Sequence, residues 1–224
     1  MTTLAREAAT TLVDELADAG LHRGLVADVG CGSGVLSGLL IEAGYDALAI
    51  DPSPAFMDLV ARNVPHAERQ LTTASTMSLP DGMVAVAAVG ETLAYDLDVD
   101  LDELFEQFHD CLRPGGVLLF DVPAPARHGG DRSTGVTDTG ASLLAMETFE
   151  SGFRLTREIT LFTRTSDGHH RRTDEVHHLR LYDPADVRAG LSRAGFVAIR
   201  PLERYGAHGP LFHEGWCGFL AGRP

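Results

Sequence analysis

Glycine occupies three alternate positions in the stretch Asp28-Val29-Gly30-Cys31-Gly32-Ser33-Gly34. Alternate glycines let a backbone turn sharply and let a ligand approach without meeting a Cβ. Leu25–Val29 before the loop reads as a short buried strand, and Val35–Ala43 after it reads as a helix. The free N–H groups and the positive helix end therefore face one guest, a carboxylate or a phosphate. Asp51 follows Gly30 by 21 residues, at the end of the next expected strand, Ala47–Ile50. A carboxylate there can accept both hydroxyls of a ribose. A dinucleotide fingerprint would need its third glycine at position 35, which is Val35. The expected guest is a nucleoside with a small zwitterionic or anionic tail.

Acid–base candidates lie further along. Glu91 follows Gly90 after the apolar run Met83–Val89, where it would bind an amine, act as a base or cap the next helix. Asp121, ending another expected strand, carries the same alternatives. His128, His169, His170, His177 and His178 fall between residues 123 and 182. His177 and His178 are adjacent on an expected strand, so they point to opposite faces and at most one faces the site. Asp174 or Glu175 would orient it. Adjacent histidines on a strand do not readily share one ion, and no metal site is expected. Tyr95, Tyr182, Phe212 and Trp216 are read as pocket lining or core.

The elements that position these groups follow from periodicity. Apolar residues at Leu4, Ala8, Leu12, Val13 and Leu16 predict a helix over 4–19, stopped by Gly20. After Asp51-Pro52-Ser53-Pro54 a helix is expected over 55–63, and strands over 69–74 and 83–89. A helix over 101–112, a Pro-Gly-Gly turn and a strand over 117–121 complete the run. Strands alternating with helices at this pitch mean parallel strands with crossover helices. Residues 123–140, rich in Pro, Gly, Arg and Thr, are expected as a loop. Residues 141–150, 153–163 and 170–182 read as extended segments, the last two joined at an Asp167-Gly168 turn. A helix over 184–194 and strands over 196–200 and 216–220 close the chain.

Composition narrows the function classes. The chain has 224 residues, about one domain's length, with 44% hydrophobic and 22% charged residues. A net charge of −14 argues against nucleic acid or an anionic membrane as main partner. All 18 basic residues are Arg, which excludes a lysine Schiff base and a phosphate-loop lysine. Cys31, Cys111 and Cys217 are scattered and odd in number, as free thiols in a reducing compartment would be. No signal peptide or membrane span is read, so a cytoplasmic location is expected.

Four motifs in order carry a family resemblance. Val26–Leu40 resembles the first motif of class I S-adenosylmethionine-dependent methyltransferases, and Asp51 matches the acidic residue after that family's second strand. Leu79-Pro80-Asp81-Gly82 resembles its fourth-strand region, and Leu112–Leu119 its L-x-P-G-G segment before strand five. The resemblance covers roughly the first 120 residues and the last 40. It implies an α/β, Rossmann-like, doubly wound sheet, seven-stranded and mostly parallel, with an antiparallel β insertion after strand five. The chain is then one domain over 1–224, with residues 123–182 as a substrate cover.

The same resemblance implies roles for individual positions. Gly30, Cys31 and Gly32, with Asp28, would lie against the methionine part of S-adenosylmethionine. Asp51 would hold the ribose, Pro52 and Ser53 would flank the adenine, and Ser75 and Thr76 would sit near its amine. Ser75 stands where the family often has Asp. Gly90 and Glu91 would mark the meeting of cofactor and acceptor. Glu91, His177 and His178 are the candidate catalytic side chains. Many relatives carry a further helix before the first one here, closing over the cofactor, so either the insertion alone forms the cover or the cofactor is more exposed than usual. The expected acceptor is a small molecule, methylated on oxygen or nitrogen. Other readings are a non-methylating step such as a cyclisation, a non-catalytic subunit, or a nucleotide-dependent oxidoreductase, against which Val35 counts.

Overall fold

The computed structural model describes residues 2–95, 97, 99–125, 133–213 and 215–224. The elements run α1 (Thr2–Asp18), β1 (Leu25–Val29), α2 (Val35–Glu42), β2 (Asp46–Asp51), α3 (Pro54–Asn63), β3 (Glu68–Leu71), β4 (Met83–Ala88), α4 (Thr92–Tyr95), α5 (Leu101–Cys111) and β5 (Leu112–Pro123). Four strands follow: β6 (Ser133–Asp138), β7 (Ser142–Ser151), β8 (Arg154–Arg164) and β9 (His170–Arg180). Then come α6 (Pro184–Arg193), β10 (Val197–Leu202) and β11 (Trp216–Gly222).

Seven strands form one sheet in the order β10-β11-β5-β4-β1-β2-β3. The pairs from β5 to β3 are parallel, while β11 runs antiparallel to both β5 and β10. Every residue of β4 is buried, as a central parallel strand with both faces covered requires. Helices α1, α2 and α3 cover one face, through clusters around Leu12, Leu16 and Leu40 and around Met57 and Val60. Helices α5 and α6 cover the other, where Phe120 packs between Phe105 and Phe219 at ring distances of 5.4 and 5.3 Å.

Local chemistry starts these helices where the sequence reading put them. Ser53, Asp100 and Asp183 cap α3, α5 and α6 by accepting from backbone N–H groups of the first turn, with Pro following in α3 and α6. Strand order reverses between β1 and β4, so the carboxyl ends of these strands open the crevice in which such sheets bind ligands.

A second sheet, β6-β7-β8-β9, is antiparallel throughout. Its inner end enters the core at Leu155 and Leu179, and β9 packs on α4. Residues 133–138 are strand, where a loop was expected. Pairing along β7 from Ser133 opposite Thr148 to Asp138 opposite Leu143 overrides their low strand preference. The Pro-Gly-Gly turn is an irregularity inside the β4–β5 ladder. It is held to the chain end by bonds from the Gly115 N–H to the Arg223 carbonyl and from the Arg223 N–H to the Gly116 carbonyl. Helix α4 is too short for periodicity to announce. No described helix is long and apolar enough to cross a membrane.

Candidate functional site

The glycine loop is locked to the end of β2. The N–H groups of Gly30 and Cys31 both donate to the Ile50 carbonyl, at 2.8 and 3.0 Å. Gly30 has φ +70°, and a Cβ there would stand 2.2 Å from Cγ2 of Thr92, so the loop presses on the first residue of α4. At Gly32, φ is +53° and the position of a Cβ is open space. Its N–H donates to Oδ2 of Asp51 at 3.0 Å, and Oδ1 of Asp51 accepts from the Ser53 N–H at 2.9 Å. A carboxylate offers about four acceptor positions, so Asp51 keeps two for other donors. A cleft of about 190 Å³ lies against the loop, walled by Leu36, Phe56 and Val89 and by Leu4 and Ala5 of α1. The first turn of α1 thus borders the cleft on a side where cover was expected only from the insertion.

Asp28 sits behind the loop, fully buried, accepting from the N–H and hydroxyl of Ser37 at 3.0 and 2.6 Å. Burial pushes its carboxyl up from 3.8 to about 6; the two Ser37 bonds oppose this, and the nearby Asp51 charge adds to it. Burial also raises the Cys31 thiol, which stays protonated and is no nucleophile at neutral pH. Pro52 is exposed beside Asp51. The hydroxyls of Thr72, Thr73, Ser75 and Thr76 bond one another on the turn after β3. Ser75 and Thr76 are not among the residues that border the cleft.

Asp121 organises the other side of the cleft. Wholly buried on β5, it accepts from the N–H groups of Gly90 and Glu91, from the Tyr205 hydroxyl at 2.6 Å and from Nε1 of Trp216 at 2.8 Å. Burial pushes its carboxyl above the usual range, and the four donors pull against that. The grip on two successive N–H groups holds Glu91 at φ +61°, a left-handed conformation unusual for a side-chain-bearing residue. The Glu91 side chain is buried in a two-bond ion pair with Arg157 of β8, at 2.6 and 3.0 Å. A carboxylate so paired is a charged anchor, not a free base.

Arg157 lies opposite His177 in the β8–β9 register. On that face His177 meets the Tyr95 hydroxyl through Nδ1 and Glu175 through Nε2. His178 points to the opposite face and meets Thr156. The structure therefore brings Glu91 and His177 together through Arg157 and Tyr95, and leaves His178 apart. His169 and His170 lie at the exposed far end of the β8–β9 hairpin, and His128 lies outside the described residues. Among the described residues no group of three His, Cys, Asp or Glu is placed to hold a metal ion.

A larger cavity, about 400 Å³, lies between the starts of α5 and α6. Three of its carboxylates are committed: Asp100 and Asp183 cap helices, and Asp102 pairs with Arg193.

A family described as "Methyltransferase domain" matches residues 26–116. That stretch carries the glycine loop, Asp51, Glu91 and the Pro-Gly-Gly turn. Over residues 26–116 the chain is similar to a methyltransferase domain. An uncharacterized methyltransferase of Mycobacterium tuberculosis (strain ATCC 25618 / H37Rv) is 33% identical over 106 residues, 47% of this chain; the match spans 42% of that relative's length. The solved S-adenosylmethionine-dependent methyltransferase of Clostridium acetobutylicum ATCC 824 superposes with a TM-score of 0.83 at 16% identity, covering 97% of this chain and 91% of the other. The S-adenosylmethionine-bound amino pentose methyltransferase CalS10 of Micromonospora echinaspora gives 0.75 at 18%, covering 98% and 90%. The fold is the class I methyltransferase fold across nearly the whole chain.

Within this methyltransferase fold, sequence reasoning passed over Thr92 and Arg157. Thr92 has no signal of its own. Arg157 had one, since counting outward from the Asp167-Gly168 turn places it opposite His177.

Two outcomes test the geometry. The folded-state pKa of Asp28 lies above its unfolded value, so the folded protein binds more protons between pH 3.8 and about 6. Stability should fall as pH rises through that window, by about 3 kcal/mol from this residue. Asp28→Asn should remove that fall in urea midpoints measured from pH 3.5 to 7.5; a variant tracking the wild type rules the burial argument out. Asp121→Ala orphans four buried donors and should lower stability by at least about 3 kcal/mol, with Asp121→Asn between it and the wild type. A thermal midpoint within about 2 °C of the wild type would show the hub to be dispensable.

Proposed function

We propose that this protein transfers a methyl group from S-adenosylmethionine to a small-molecule acceptor. The observation that carries the reading is the pairing of Gly32 and Asp51: an N–H donor with open space above it beside a carboxylate with acceptor positions to spare. The residues present fit this cofactor. Asp51 would take the ribose hydroxyls, and Pro52, Ser53 and Phe56 would flank the adenine. Gly30, Cys31 and Gly32 would pass along the methionine part, with the Asp28 charge behind them favouring a cation. Ser75 and Thr76 would bound the adenine edge. Bound there, the cofactor supplies an electrophilic methyl group on a positively charged sulfur.

The rest is positioning by this chain. Alignment of two reactants in one cleft is worth up to about 7–11 kcal/mol in favourable cases. Val89, Gly90 and Glu91 follow β4, with Val89 bordering the cleft, and the second sheet, within residues 123–182, would cover the acceptor. Of the candidate catalytic side chains, His177 would face that space, and Glu91 would act through Arg157. A small-molecule acceptor is supported by the net charge of −14, which disfavours nucleic acid, and by CalS10, whose described substrate is an amino sugar.

Calorimetric titration of the purified chain decides the cofactor. S-adenosylmethionine should bind and NAD should not. Asp51→Ala should weaken binding about 10- to 100-fold, the effect of losing hydrogen bonds to a charged group. No binding by the wild type, or equal binding of NAD, would sink the reading.

A further inference from the structure

On the inner face of the second sheet, a chain of polar groups runs from α4 to the solvent. The Tyr95 hydroxyl is 3.3 Å from Nδ1 of His177, and the two rings meet edge-on at 5.5 Å. Nε2 of His177 is 3.1 Å from Oε2 of Glu175, whose side chain is 55% exposed. A carboxylate against Nε2 fixes the proton on that nitrogen and leaves Nδ1 as acceptor for the phenol. Arg157 also bonds the Tyr95 hydroxyl and is itself held by Glu91. Tyr95 is the one described tyrosine that is not buried; Tyr45, Tyr182 and Tyr205 are 5%, 8% and 1% exposed. It stands one helical turn, about 4.5 Å, beyond Thr92, which touches Gly30. The phenol is half-exposed on α4, four residues after Glu91, and the carboxylate that ends the chain is at the solvent. Ile159, Leu161, Leu144 and Met146, half-buried, continue the same face of the sheet as an apolar wall.

We propose that Tyr95, His177 and Glu175 form a proton path for the methyl acceptor, with Tyr95 meeting the acceptor and His177 as its base, and that the acceptor is an oxygen nucleophile, a phenol or an alcohol. This rests on the methyl-transfer reading above. A neutral amine attacks unaided and loses its proton afterwards, whereas a hydroxyl must lose its proton as it attacks. As the oxygen–carbon bond forms and the carbon–sulfur bond breaks, leaving its pair on sulfur, the hydroxyl proton passes to Oη of Tyr95. The phenolic proton passes to Nδ1 of His177. Tyr95 ends neutral, and the positive charge lost at sulfur reappears on the imidazolium beside Glu175. The charged groups facing His177 are Glu175 on its own strand, Arg157 on β8 and, through Arg157, Glu91; Tyr95 faces it from α4.

The test uses the full chain as wild type, Tyr95→Phe, His177→Gln and Glu175→Gln. Cofactor affinity by calorimetry should agree within about twofold across all four; absence of binding in the wild type refutes the methyl-transfer reading itself. With S-adenosylhomocysteine bound, phenol is added to protein carrying labelled tyrosine and histidine, followed by NMR. Tyr95 and His177 signals should move together in the wild type, and Tyr95 alone in His177→Gln. A Tyr95 signal that ignores phenol or the loss of His177 overturns the path. Methyl transfer to phenol and benzyl alcohol, against aniline and benzylamine, is then followed by product mass. Oxygen methylation should fall at least about 100-fold in Tyr95→Phe, and its acid limb in the pH–rate profile should vanish in His177→Gln. Methylation of the amines alone, or an equal loss on all acceptors, overturns the assignment.

Discussion

One buried carboxylate holds the site together. Asp121 takes donors from three separate parts of the chain: the turn after β4, the Tyr205 segment and the start of β11. Burying a charge is tolerable only when its acceptor positions are filled, and here four donors fill them. The same bonds settle the backbone of Gly90 and Glu91, which sits in a conformation that a side chain disfavours. The direction of Glu91, the start of α4 and the width of the crevice follow from that grip.

From Glu91 the constraint passes to the second sheet. Its ion pair with Arg157 is buried on the Glu91 side and half-buried on the other, and such pairs do little for net stability because desolvation opposes the attraction. What the pair does supply is register: one guanidinium seated on one carboxylate decides which residues of β8 and β9 face α4. His177 faces it and His178 does not. Leu155 and Leu179, on the same face, carry the apolar part of the contact with the core. A sheet with exposed outer strands is thereby attached to a rigid body at its inner end.

The cofactor side depends on much shorter connections. The glycine loop, Asp51 and Ser53 are fastened by backbone bonds between neighbouring parallel strands. Asp28 lies one layer deeper and is tied to the first turns of α2 through Ser37. Two carboxylates are thereby concentrated behind the loop, and the Asp51 charge adds to the upward push that burial gives Asp28.

The sequence alone determined the loop, the acidic residue after the second strand and the doubly wound sheet. These rest on short-range facts: alternate glycines, the spacing to Asp51 and strand–helix alternation. Residue type and spacing suffice for them, because each element's partner is the next element along the chain. The tertiary structure decided everything that depends on distant pairing. Residues 133–138 look like a loop until β7 offers them hydrogen bonds. Glu91 looks like a free base until Arg157, 66 positions away, takes both its oxygens. Asp121 has no legible role until Tyr205 and Trp216 arrive beside it. Such contacts are selected by the summed packing of whole sheets, and no local pattern records which charge will meet which.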